Sequence, residues 1–156
     1  MSGTVKLTMK QIWSFLVAIC LTASAVLAEG KESGWLTDQK AAQEQAKKEK
    51  KLLLIDFTGS DWCSWCIKLH KEVFSQKDFL AYAKENLVLL EVDFPQNKPQ
   101  DKALKKANEA LQKKYNIEGY PTIIILDGEG KQVGSMGYQP GGPGPFIAKL
   151  KSFKKS

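Results

Sequence analysis

Two kinds of hydrophobic pattern divide this chain. Leu52-Leu53-Leu54-Ile55-Asp56-Phe57 and Leu87 to Phe94 are nearly unbroken apolar runs, the signature of strands covered on both faces in an α/β sheet. Around them the apolar positions recur at helical spacing. Gly34 to Lys50 reads as a first helix, with Thr37 as N-cap and Glu44 four residues before Lys48, an orientation that supports a helix. Cys63 to about Phe74 reads as a second. Ser75 is placed to cap a third, with Phe79, Leu80 and Ala83 facing inward. Asp101 to Tyr115 carries a stripe of Leu104, Ala107, Leu111 and Tyr115. Ile123-Ile124-Ile125-Leu126 is a third apolar strand, Asp127-Gly128-Glu129-Gly130 a hairpin turn, and Lys131 to Met136 the antiparallel return. Beyond the Gly/Pro-rich stretch Pro140 to Pro145, a last helix turns Phe146, Ile147, Leu150 and Phe153 inward. The order α-β-α-α-β-α-β-β-α predicts an α/β domain with a mixed central sheet, helices on both faces and an extra helix at its N-terminal end.

The first 28 residues follow a different rule. Lys6 and Lys10 precede an apolar run from Ile12 to Leu21, and Val26-Leu27-Ala28 offers the small residues of a signal-peptidase site. This predicts a signal peptide over 1–28 and a single domain over 29–156, exported to the periplasm. An uncleaved anchor is the rival reading, because Gln11 to Ala28 is uncharged and about long enough to cross a bilayer. The Ala/Ser/Thr-rich end of the run favours cleavage. Losing Lys6 and Lys10 lowers the net charge of +6 by two. All 23 basic residues are lysines, spread over the helices among glutamates. That is the pattern of solvated helix faces, and without arginine the usual bidentate phosphate and base contacts are missing, so no nucleic-acid partner is expected.

Export changes the cysteine count. Cys20 leaves with the leader, so Cys63 and Cys66 remain. A structural bridge closing so small a loop removes little unfolded-state entropy. The spacing C-x-x-C, set between a buried strand and a helix, fits dithiol redox chemistry instead. The helix start offers unpaired N–H groups and the positive end of the dipole, which favour thiolate at Cys63. Cys66 lies one turn further on.

Three elements together resemble the thioredoxin-fold family over Gly34 to Phe153: Trp62-Cys63-Ser64-Trp65-Cys66, Gly119-Tyr120-Pro121-Thr122, and Asp56 in the strand before the cysteines. The fuller string from Gly59 to Cys66 is similar to a branch of exported bacterial thioredoxin-like thiol oxidoreductases of the DsbH type. The resemblance implies a nucleophile at Cys63, a resolving thiol at Cys66, a buried carboxylate at Asp56, and a cis peptide bond at Pro121 beside the sulfurs. It implies protein or peptide disulfides as substrates; the exported compartment implies a membrane dithiol as electron donor, and a monomer without cofactor is expected. Trp62 and Trp65 flank Cys63 and are expected to form an apolar rim for extended substrates, with Tyr120 at the position that contacts substrate backbone. The chain departs from the family in its Ser64-Trp65 dipeptide, in a loop from Asp56 to Cys63 that is one residue longer, and in Tyr120 where an aliphatic residue is usual.

Other readings stand beside these. Asp56 could simply cap its loop, Pro121 could be trans at a strand start, and the tryptophans could be ordinary packing. His70 completes C-x-x-C-x-x-x-H, but a structural zinc needs four ligands and the mature chain has no further Cys or His, so a solvent-facing histidine is expected and no metal site. Ile67 stands where haem attachment requires histidine. The function expected is periplasmic reduction of protein disulfides. A disulfide isomerase or oxidase and a redox-inert peptide-binding module are the alternatives.

Overall fold

The structure, a computed structural model, describes residues 34–154; the leader and Cys20 lie outside them. The chain runs β1 (Trp35–Leu36), α1 (Gln39–Glu49), β2 (Leu52–Thr58), α2 (Ser64–Leu69), a π-helical turn (His70–Phe74), α3 (Lys77–Asn86), β3 (Leu87–Asp93), α4 (Lys102–Lys114), β4 (Thr122–Leu126), β5 (Gln132–Met136) and α5 (Pro143–Phe153). The five strands form one sheet in the order β1-β3-β2-β4-β5. β1, β3 and β2 are parallel, and β4 and β5 are antiparallel to their neighbours. This is the mixed sheet of a thioredoxin fold.

Strand periodicity sorts the core into two layers. On one face Leu52, Leu54, Leu87, Leu89, Ile123 and Ile125 pack under α2, α3 and α5, with Phe74, Phe79 and Phe146 in mutual ring contact at 5.0 to 6.0 Å. On the other, Leu53, Ile55, Phe57, Val88, Leu90, Val92, Ile124 and Leu126 pack under α1 and α4. Asp56 falls on the first face, with Glu91 directly opposite it on β3. The carboxylates therefore lie on the side of the sheet that α2 covers.

Several local expectations are corrected. α1 starts later than the pattern suggested, because Asp38, not Thr37, caps it through a 2.7 Å bond from the Ala41 N–H; Trp35 and Leu36 are pulled into β1 instead. Ser75 does not cap α3, which begins after Gln76 without a side-chain cap. Leu80 is 44% exposed although its helix buries Phe79 and Ala83. On α4 the inward position next to Leu111 belongs to Asn108, while Ala107 faces out. Asn108 is buried because its Nδ2 donates to the Asp93 carbonyl at 2.9 Å.

Candidate active site

The site begins where β2 runs out. The Phe94 N–H donates to the Thr58 carbonyl, holding the two parallel strands together to their ends, and the chain then turns through Gly59 to Trp62. Two carboxylates hold this turn. Asp93 accepts from the Ser60 N–H at 2.9 Å, the Ser60 hydroxyl at 2.6 Å and the Lys98 ammonium at 3.1 Å. Asp61 accepts from the Gln96 and Asn97 N–H groups at 3.0 and 2.7 Å. Those donors, Gln96 first, keep its carboxyl below the usual carboxylate range. The loop is thus tied to the end of β3 through Ser60 and to the segment after it through Asp61.

The turn delivers Cys63 to the N-cap of α2, where its Sγ accepts the Cys66 N–H at 3.2 Å. The cysteines are joined as a disulfide with Cα atoms 5.2 Å apart. Cys63 is 7% exposed and Cys66 4%, so in this oxidised state the first cysteine is only slightly more open than the second. The same N–H would stabilise a Cys63 thiolate after reduction, together with the helix end.

Behind Cys66 lies a cavity of about 230 Å³ lined by Asp56, Thr58, Ser60, Cys66, Ile67, His70 and Glu91. Asp56 is buried and its Oδ1 has no hydrogen-bond partner. Burial above all, then the like charges of Glu91 and Asp93, pushes its carboxyl up to about 8. A carboxyl so placed exchanges its proton around pH 8, where its ionised form can accept one from a thiol beside it.

Two aromatic groups border the cysteines. Trp62 is 40% exposed, donates from Nε1 to the Phe94 carbonyl at 2.8 Å, and meets Tyr120 edge-on at 5.9 Å. Tyr120 also packs on Phe94 and accepts a bond from Gln112 Nε2 at 2.7 Å. Trp65, 53% exposed, contacts Tyr138 at 5.1 Å, with the Lys68 ammonium over both rings. Tyr138 donates to Glu72 at 2.6 Å. The Tyr120–Pro121 peptide is cis. Thr122 pairs with Phe57, so Pro121 sits at the β4 end next to where the cysteine loop departs.

All the singled-out side chains therefore gather at one end of the central strands, where β2 and β3 finish and β4 begins. Sequence reasoning missed Glu91, Asp93, Phe94 and Tyr138 as parts of it. Glu91 gave a signal, an acid inside an apolar strand; Tyr138 gave none, because its partner Trp65 is far away in sequence. Among the described residues no cluster of three or more His, Cys, Asp or Glu side chains could hold a metal ion, and no helix is long and apolar enough to cross a membrane.

Comparison with known proteins points the same way. The family profile described as a Thioredoxin-like domain matches residues 39–153. The Disulfide bond reductase DsbH of Chlamydia pneumoniae is 39% identical over 73% of this chain and 69% of its own. The Thioredoxin-related protein DsbJ of the same organism is 32% identical, but this chain spans only 34% of its length. A DsbH oxidoreductase structure superposes with a TM-score of 0.73 at 34% identity, covering 83% of this chain and 92% of that one. The reduced C-terminal domain of Neisseria meningitidis DsbD gives 0.54 at 25% identity, over 72% and 91%.

Proposed function

The chain belongs to the thioredoxin-like family and is a thiol–disulfide oxidoreductase, and from that premise we propose that it reduces disulfides of protein clients in the periplasm. In this reading Cys63, as thiolate, attacks a client disulfide and forms a mixed disulfide. Asp56 takes the proton from Cys66, whose thiolate attacks Cys63 Sγ. The client leaves reduced and the Cys63–Cys66 bond re-forms. Two electrons pass from the dithiol to the client, and a membrane dithiol donor restores them. The aromatic borders, Trp62 with Tyr120 on one side and Trp65 on the other, receive an extended client segment beside Pro121. The protein acts as a monomer and needs no cofactor.

One observation supports this reading: a buried carboxyl, Asp56, lines the same cavity as the resolving cysteine, and burial raises it to about 8. A base there promotes escape from the mixed disulfide. The Ser64-Trp65 dipeptide also lacks the histidine that steadies the thiolate in strongly oxidising members of the fold. The potential should lie nearer about −270 mV than about −120 mV. The name of the Chlamydia relative, a reductase, agrees, and the leader pattern of residues 1–28 supports export.

Insulin reduction with wild type and Cys63→Ser tests the enzyme reading. Activity should vanish in the variant, and equal turbidity in both would leave a peptide-binding module. Equilibration with glutathione tests direction, where a potential above about −180 mV would make the protein an oxidase or isomerase.

A further inference from the structure

Asp56 meets solvent only marginally, at 7% exposure. It is buried in the central strand, with Leu54 before it on the same face and Ile123 opposite it on β4. Its way out is the cavity of about 230 Å³, roomy enough to hold water. Two titratable side chains other than the reacting pair line that space. Glu91 lies directly across from Asp56 in the β2–β3 register and is half-buried. His70 lies four residues after Cys66, on the same side of its helix one turn on, and is exposed. The helix changes from α to π geometry at His70, a local widening often found at functional positions. Asp93 is held by Ser60 and Lys98, and β4 presents no titratable group there.

We propose that His70 is the proton exit of this site and Glu91 the carboxylate that acts on Asp56 from across the strand pair, so that a proton leaving Cys66 passes from Asp56 through the cavity to His70 and then to solvent. Both are positioning residues acting through Asp56. The inference rests on the disulfide-exchange reading. In the step concerned Cys66 gives its proton to the Asp56 carboxylate, its sulfur bonds to Cys63 Sγ, and the Cys63–client bond breaks with the electron pair leaving on the client sulfur. A neutral imidazole carries one nitrogen that donates and one that accepts, which suits the mouth of such a path. A second carboxylate opposite the first disfavours its ionised form and so holds the proton acceptor in a useful range.

The test is stopped-flow reaction of the reduced protein with excess bis(nitrothiobenzoate) disulfide. The first release of coloured thiolate reports attack by Cys63, and the second reports resolution by Cys66. His70→Gln should slow the second phase about tenfold relative to the first in dilute buffer, with added imidazole restoring it. Glu91→Gln should move the midpoint of the second phase to lower pH, while Glu91→Asp should keep it. A second phase with wild-type rate and pH midpoint in either His70→Gln or Glu91→Gln overturns the relay. Absence of the first phase in wild-type protein would instead overturn the disulfide-exchange reading itself, and the relay with it.

Discussion

At the scale of single residues, Asp56 links stability to chemistry. Its carboxyl is raised from an ordinary 3.8 to about 8, so between those values the folded protein holds a proton that the unfolded chain has released. Stability conferred by that proton is fully present at low pH and is lost as pH rises through about 8, at up to about 1.4 kcal/mol per unit. Replacing the acid with a neutral amide removes the penalty. Asp56→Asn should therefore be more stable than wild type at pH 7, by up to about 4 kcal/mol before burial of the amide takes part back. The difference should shrink towards pH 4, and urea midpoints across that range would show it. The same variant should resolve mixed disulfides about a hundredfold more slowly above pH 8, where wild type carries the carboxylate. Equal stability at pH 7 would mean that burial does not disfavour the charge.

At the scale of elements, the cysteine loop is held from outside itself. Asp93 fastens Ser60 and Lys98 through its carboxylate, and Gln100 and Asn108 through its carbonyl. Asp93→Ala should cost about 2 kcal/mol and speed hydrogen exchange at the Ser60 amide, while α2 keeps its protection. Gly59 has a related duty. A Cβ there would stand 2.5 Å from the Trp62 indole, so Gly59→Ala should push Trp62 off the Phe94 carbonyl and shift tryptophan emission to the red. Such ties explain what the sequence hid. The two cysteines, the strand before them and the Gly-Tyr-Pro-Thr turn declare themselves because their information is local. β1 is two residues long, too short to leave a periodic pattern, and it exists because β3 offers an edge to pair with. Asn108 broke the apolar stripe of α4 for the sake of a carbonyl fifteen positions away. Leu80 looked inward by spacing alone, but α3 turns a narrower face to the core than its apolar residues suggest.

Across the whole molecule, the two apolar layers are joined through β2, which pairs along its length with β3 and over most of it with β4. The Phe74–Phe79–Phe146 cluster locks α5 and α3 onto one layer. Phe146→Ala should lower unfolding free energy by about 3–5 kcal/mol, measured by urea titration of the oxidised protein. In protein that remains folded, the ratio of the two release phases should hardly change, because Phe146 does not line the cavity behind Cys66.

The central position of β2 also governs when the sulfurs become dangerous. A strand flanked on both sides opens last, as part of global rather than local unfolding, and the carboxyl that equips Cys66 is built into it. Fraying at either rim of the sheet leaves the redox machinery whole, and losing β2 dismantles it at a stroke. A resolving sulfur equipped by that carboxyl is therefore expected only in the intact domain.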